Sequence, residues 1–448
     1  MPRSVSRSAP GSTPRSAPTR LVALAVALLS LLSGTWGCAT SRLPPISASG
    51  PDFEPLRDER ELWQRSREEE RKLVAEAAVY DDPLLVDYLE GIVSRLNPPA
   101  MAVNPEIRYR VTVIEDPTLN AFAYPHGSLF VHTGLLARME SEAELATVLG
   151  HEMSHVEGRH MLRFRRAARN RQIGWSVAAV AAAVILAGEQ GEAYEEGNWS
   201  RGARIGVLSD LFVGLGLQLA VLAAINGYGR ELEAEADEAG FAKLARAGYD
   251  PRAAPEVYRA LLEEHGEPST AEAFFFGSHP KLANRLENAE AWAAGAPPVE
   301  PEAAAGDEQA FVRRIRPVVR DDARLNLERG RLGLAEHELQ RALAWMPGDP
   351  EAHLLLARLR FAQADAAPDS ASAAVLEGEG EAALREAVRL DPQRPEPHRE
   401  LGLLAYRRGE YEEACRELGH YLEVDPDASD ARTVRDYLLE LEHDGRCD

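Results

Sequence analysis

His151-Glu152-Met153-Ser154-His155 sets two imidazoles four residues apart, with a carboxylate beside the first. On a helix of 3.6 residues per turn, positions i and i+4 share a face, so both rings can bind one Zn2+. Glu152 then stands where it can take a proton from a water polarised by that ion. A hydrolytic zinc needs a third protein ligand and one open position. The segment GRELEAEAD, residues 229–237, supplies a candidate, because Glu233 and Asp237 are again one helical turn apart. Glu233 is read as the third ligand, and Asp237 as the acceptor that fixes the tautomer of a ligand histidine through its Nδ1 proton. The neighbouring Glu231, Glu235 and Glu238 fit an ordinary solvated acidic face.

These side chains need elements to carry them. Ser141 and Glu144 form an S-x-x-E capping box, and Leu145, Val148 and Leu149 follow at helical intervals. The pattern predicts a helix from 141 to about 160. Upstream, helices are predicted over 57–79 and 83–96, the second carrying Leu85, Leu89, Ile92, Val93 and Leu96 on one face. Alternation and β-branching predict strands over 108–114, 121–124 and 128–132, the last following a Pro125-His126-Gly127 turn. Residues 128–132 are read as an edge strand that an extended peptide could join. His126, His132 and His160 are read as turn, strand and helix-surface residues rather than ligands, having no partner at ligand spacing. Two apolar runs, 173–187 and 205–225, are read as buried helices or a lipid-dipping surface. The first is only 15 residues long and the second contains Asp210 and Gln218.

The two ends of the chain read differently. Arg3, Arg7, Arg15 and Arg20 precede an apolar run of 12, Leu21 to Leu32, as in an export signal. Gly37-Cys38 follows, like a lipoprotein cleavage site, so Cys38 is expected to carry a lipid. Residues 293–306 turn to Ala, Pro and acid without periodicity, which marks a linker. Beyond it Leu401-Gly402, Tyr406, Gly409, Ala414, Leu418 and Pro426 sit at the offsets of a 34-residue helical repeat. Gly330, Ala335, Leu339, Ala342 and Pro347 repeat the pattern. Pro347 to Pro392 is 45 residues, so a middle unit carries an insertion of 11, assigned to the polar stretch 364–379. The expected division is a signal peptide over 1–37, a tether over 38–56, a metallopeptidase domain over 57–292, a linker over 293–311 and tetratricopeptide repeats over 312–448. The expected fold class is mostly α with a small β-sheet.

HExxH followed some eighty residues later by ExxAD resembles the zinc metallopeptidases of peptidase family M48, the CAAX-prenyl-protease, HtpX and Oma type. Asn120 to Ala123, Gly127 to Val131 and Thr133 to Leu136 resemble the strands before the zinc helix of that family. Ser278-His279-Pro280, with Arg285 beyond it, resembles its HP-containing motif. A repeat array behind an export signal is similar to the family's periplasmic branch, which includes the β-barrel assembly-enhancing proteases. The resemblance implies one zinc per chain held by His151, His155 and Glu233, with Glu152 as base and Asp237 behind the ligands. His279 would stabilise the oxyanion or occupy the open zinc position at rest; alternatively it caps a structural turn while Arg285 forms an ion pair.

Composition narrows the function further. Fifty basic against 72 acidic side chains give a net charge of -22, which repels phosphate backbones and disfavours a nucleic-acid partner. Cys415 and Cys447 could pair in an oxidising compartment or stay as two thiols. The expected function is a zinc metalloendopeptidase of the bacterial cell envelope, on its periplasmic side and lipid-anchored to the outer membrane. It would act on protein or peptide substrates in the quality control or assembly of outer-membrane proteins. Its repeats would contact substrates or the outer-membrane assembly machinery. The alternatives are a repeat-based assembly chaperone or scaffold with latent proteolysis, and an integral-membrane processing peptidase.

Overall fold

The computed structural model describes residues 43–167, 230–264, 282–297 and 305–447. The signal segment, Cys38, the apolar runs 173–187 and 205–225, and His279 lie outside the described residues.

Two helices open the described chain. Helix α1 (Arg57–Glu76) begins with Asp58 and Glu59 at its positive end, and the Glu59 carboxylate accepts the Leu56 N–H at 3.1 Å. Helix α2 (Pro83–Leu96) is capped by the Asp82 carboxylate, which accepts the N–H groups of Leu84 and Leu85. It buries Leu85, Leu89, Ile92, Val93 and Leu96, each contributing roughly 1.5–3 kcal/mol if fully removed from water.

Three strands follow, β1 (Arg110–Ile114), β2 (Ala121–Ala123) and β3 (Ser128–His132), in the sheet order β1-β3-β2. Strand β3 pairs parallel to β1 and antiparallel to β2. It is therefore the central strand, and the expectation that 128–132 forms an edge is corrected. The short turn after Ala123 folds β3 back onto β2, while β1 takes its other side. The edge of β1 is partly covered, since Tyr80 N–H donates to Val113 O at 3.0 Å. The sheet edge that borders the ligand helices belongs to β2.

After the short helix α3 (Thr133–Arg138), helix α4 (Glu142–Glu157) starts at Ser141, whose hydroxyl accepts the Glu144 N–H at 3.2 Å. The Glu144 carboxylate reaches back to the Glu140 N–H at 2.7 Å, one residue earlier than in a standard capping box. Helix α4 ends at Glu157, short of the expected 160. Helix α5 (Arg230–Ala247) crosses it where Gly240 meets Gly150. A Cβ at Gly240 would lie 3.3 Å from the His151 amide nitrogen, so the glycine allows the two helices to meet beside the ligands. Lys243 of α5 ties the pair together, reaching Ser154 Oγ at 2.9 Å and Glu157 at 3.0 Å. Helices α6 (Ala253–Glu264) and α7 (Leu282–Gly295) flank them.

The remaining helices are α8 (Glu308–Glu328), α9 (Leu332–Trp345), α10 (Pro350–Asp365), α11 (Ser370–Leu390), α12 (Pro395–Arg408), α13 (Tyr411–Val424) and α14 (Ala431–His443). They stack as antiparallel hairpins. The inserted residues mostly extend α11 at its start rather than forming a loop. Cys415 and Cys447 form a disulfide that fastens the chain end after α14 to α13. Among the described residues, no helix is long and apolar enough to cross a membrane.

The first hairpin does not stand apart. Phe311, Ile315, Val318 and Val319 of α8 lie in the same buried cluster as Leu85, Leu96, Leu135 and Leu149. The boundary expected at 311/312 falls within α8, and Ala305 N–H donates to Gly248 O at 2.8 Å. Arg341 of α9 donates to the Ala137 carbonyl at 2.6 Å and also to that of Met139.

A polar knot lies in the same contact. Thr133 Oγ1 donates to Asp322 at 2.7 Å, Asn326 Nδ2 donates to Glu338 at 2.7 Å, and Arg138 reaches Glu338 at 3.2 Å. Burial, reinforced by the Asp322 carboxylate, pushes Glu338 up to about 8. The folded pair thus holds a proton that an unfolded glutamate, with its ordinary value of 4.5, releases earlier. The linked stability is fully present below that ordinary value and is lost as pH rises through about 8. Urea midpoints of the native chain should fall between pH 5 and 9, whereas Glu338→Gln should flatten that fall. An equally steep fall in the variant would remove Glu338 as its source.

Candidate active site

Helices α4 and α5 bring five polar side chains together, four of them buried and Glu152 half-buried. His151, Glu152 and His155 come from α4; Glu233 and Asp237 come from α5. His151 Nε2 lies 2.9 Å from His155 Nε2 and 3.5 Å from Glu233 Oε2. His155 Nε2 lies 3.7 Å from Glu233 Oε1. Tetrahedral zinc with bonds near 2.0–2.1 Å separates its ligand atoms by about 3.3 Å. The cluster brackets that spacing, and its donor set of two imidazoles and one carboxylate suits a hydrolytic zinc. These residues therefore fit a metal ion.

The outer contacts aim the donors. His151 Nδ1 lies 2.8 Å from Asp237 Oδ1, leaving Nε2 turned to the cluster. Asp237 also accepts from Arg285 at 2.7 and 2.9 Å and from the Tyr258 hydroxyl at 2.8 Å. Burial acts to raise the Asp237 carboxyl, but Arg285 and His151 outweigh it and hold the group well below the usual range. Arg285 also stacks over the Tyr258 ring at 4.8 Å and lies 3.4 Å from Glu233. The ion-pair reading of Arg285 thus places it inside the site, behind the ligands.

Glu152 is half-buried beside the ligand set rather than part of it. It lines a cleft with Ala121, Val148, Val257, Tyr258 and Arg285 that opens onto His151. Burial, with Glu233 adding to it and His151 opposing it, pushes the Glu152 carboxyl up to about 7. A carboxylate poised near neutrality suits a general base that must both take and return a proton. Ala121 belongs to β2, so that strand borders the cleft.

The other histidines divide. His126 pairs with Glu70 at 2.7 Å, and His132 contacts Thr118 Oγ1 at 2.8 Å, both away from the cluster. His160 is not on a helix surface as expected: it is fully buried, with Nδ1 2.9 Å from His155 Nδ1. Sequence reasoning missed Tyr258 and His160 in the site. Tyr258 reads as one more apolar-face residue of α6, and nothing local signals its contact with Asp237. His160 lies five residues beyond a ligand, a spacing that a continuous helix does not bring together.

Residues 83–293 match peptidase family M48, and residues 379–438 match a tetratricopeptide repeat. A Vibrio cholerae protein named as a beta-barrel assembly-enhancing protease is 31% identical over 222 residues, covering 50% of this chain and 42% of that protein. The mitochondrial metalloendopeptidase OMA1 of Schizosaccharomyces pombe is 28% identical over 250 residues, 54% of this chain and 66% of its own. The beta-barrel assembly-enhancing protease of Escherichia coli O157:H7 is 28% identical over 220 residues, 49% and 41% of the two chains. The chain spans about half the length of the curated relatives it matches.

Proposed function

We propose that the chain is a zinc-dependent metalloendopeptidase of the bacterial envelope, in keeping with the match of residues 83–293 to peptidase family M48 and of residues 379–438 to a tetratricopeptide repeat. The convergence of His151, His155 and Glu233 beside a cleft lined by Glu152 carries this reading. When bound, zinc supplies a Lewis acid that polarises the scissile carbonyl and acidifies water. Glu152 takes the proton of the attacking water and passes it to the leaving amine. Asp237 holds His151 in the tautomer that binds through Nε2, and Arg285 holds Asp237 ionised. An extended substrate pairs with β2 in place of the edge once expected at β3, so that backbone hydrogen bonds hold it across the cleft.

Envelope location rests on the N-terminal signal pattern with Cys38, on the names of the bacterial relatives, and on the Cys415–Cys447 disulfide, which suits an oxidising compartment. The repeats recruit protein substrates or an assembly partner at the outer membrane. For His279 the resemblance to the family's HP-containing motif supports a role in stabilising the oxyanion or in taking the open metal position at rest. The deciding experiment measures metal content and casein cleavage on the same preparation. One zinc per chain, with cleavage lost to a chelator and restored by zinc, is expected. Cleavage that persists after the metal has been stripped would overturn the proposal.

A further inference from the structure

We propose that His160 is the positioning residue of the second metal ligand, accepting the His155 Nδ1 proton and so turning His155 Nε2 toward the ion. This rests on the proposed metal at the cluster.

The two ring nitrogens meet at 2.9 Å, with the rings nearly perpendicular. An Nδ1-to-Nδ1 contact needs one donor and one acceptor. His155 turns its Nε2 toward His151 and Glu233, so as a metal ligand it must carry its proton on Nδ1. His160 is then the acceptor, and its own proton sits on Nε2. That nitrogen faces Glu235 Oε1 at 3.6 Å, and Arg163 in turn holds Glu235 through both oxygens at 2.8 Å. His151 is backed directly by a carboxylate, whereas His155 is backed by an imidazole whose far nitrogen lies near Glu235.

The backbone is shaped for this contact. In an unbroken helix the fifth residue along lies about 140° around the axis and cannot touch the first. Here α4 stops at Glu157, Arg159 takes φ 55°, and helix resumes at His160. Left-handed backbone is unusual for a residue with a Cβ. Arg159 is held there by its buried pair with Glu59, at 2.9 Å from Nε, and by stacking over Phe53 at 5.3 Å. At Gly158 a Cβ would fall 2.3 Å from His160 Nε2, so the glycine leaves room for the ring.

The test uses the full chain and zinc alone. In His160→Phe, which keeps the ring volume but accepts nothing, zinc affinity measured by chelator competition should fall roughly 10- to 100-fold. The thermal midpoint of the metal-stripped protein, measured alongside, reports the separate cost of leaving a buried ring nitrogen unpaired. His160→Gln, whose amide oxygen can accept, should recover part of the loss. Unchanged affinity in His160→Phe, or no recovery in His160→Gln, overturns the proposal. Should either variant fail to fold, 15N spectra of histidine-labelled, zinc-loaded wild type decide: His160 protonated on Nε2 supports it, and on Nδ1 overturns it. Wild type that binds no zinc would instead sink the metallopeptidase reading itself.

Discussion

Glu152→Gln is expected to lower peptide cleavage by roughly 10²- to 10⁴-fold, the range by which a positioned general base accelerates proton transfer. The amide keeps the shape of the side chain in the cleft but has no basic oxygen. The three proposed ligands are other residues, and His151 keeps its contact with Asp237, so one zinc should remain bound. Metal content and cleavage of a quenched peptide, measured on the same sample, separate this outcome from loss of the ion. Near-native cleavage with zinc in place would reject Glu152 as the base. In cells, complementation by this variant would favour the alternative in which the repeats act as a chaperone.

Phe311→Ala is expected to destabilise the protein by about 3–5 kcal/mol, the range for truncating a core aromatic. Phe311 is 1% exposed and belongs to the core built by α2, α3 and α4, with Trp345 edge-on at 6.4 Å. It lies beyond residues 83–293, at the end of the expected linker and in a helix that continues into the region expected to form repeats. If α8 is part of the core that carries the proposed ligands, urea should unfold both regions at a lower midpoint, with zinc release following the same curve. Two separated transitions, with zinc release unmoved by the substitution, would show that the core closes without α8.

Sequence made the α4 part of the site legible because its determinants are local. A capping box, helical periodicity and an i, i+4 pair all lie within twenty residues. Glu233 and Asp237 were legible only by combining one-turn spacing with the need for a third ligand. Strand order was not legible, because the alternation of residues 128–132 shows a strand but not how many neighbours it has. Helix α8 was not legible either: Phe311 falls in the expected linker, and no local signal shows that Ile315, Val318 and Val319 pack into the core of the ligand helices. His160 was misplaced because its burial depends on the left-handed turn at Arg159, stabilised by Glu59 a hundred residues earlier.

The core shared by α8 and the ligand-bearing helices gives the repeats no hinge at their root. If the repeats hold a polypeptide as proposed, one gripped at the first hairpin would meet the cleft from a fixed distance, as on a gauge. The number of residues between grip and cut would then be set by that span, and stretches too short to bridge it would escape cleavage whatever their side chains.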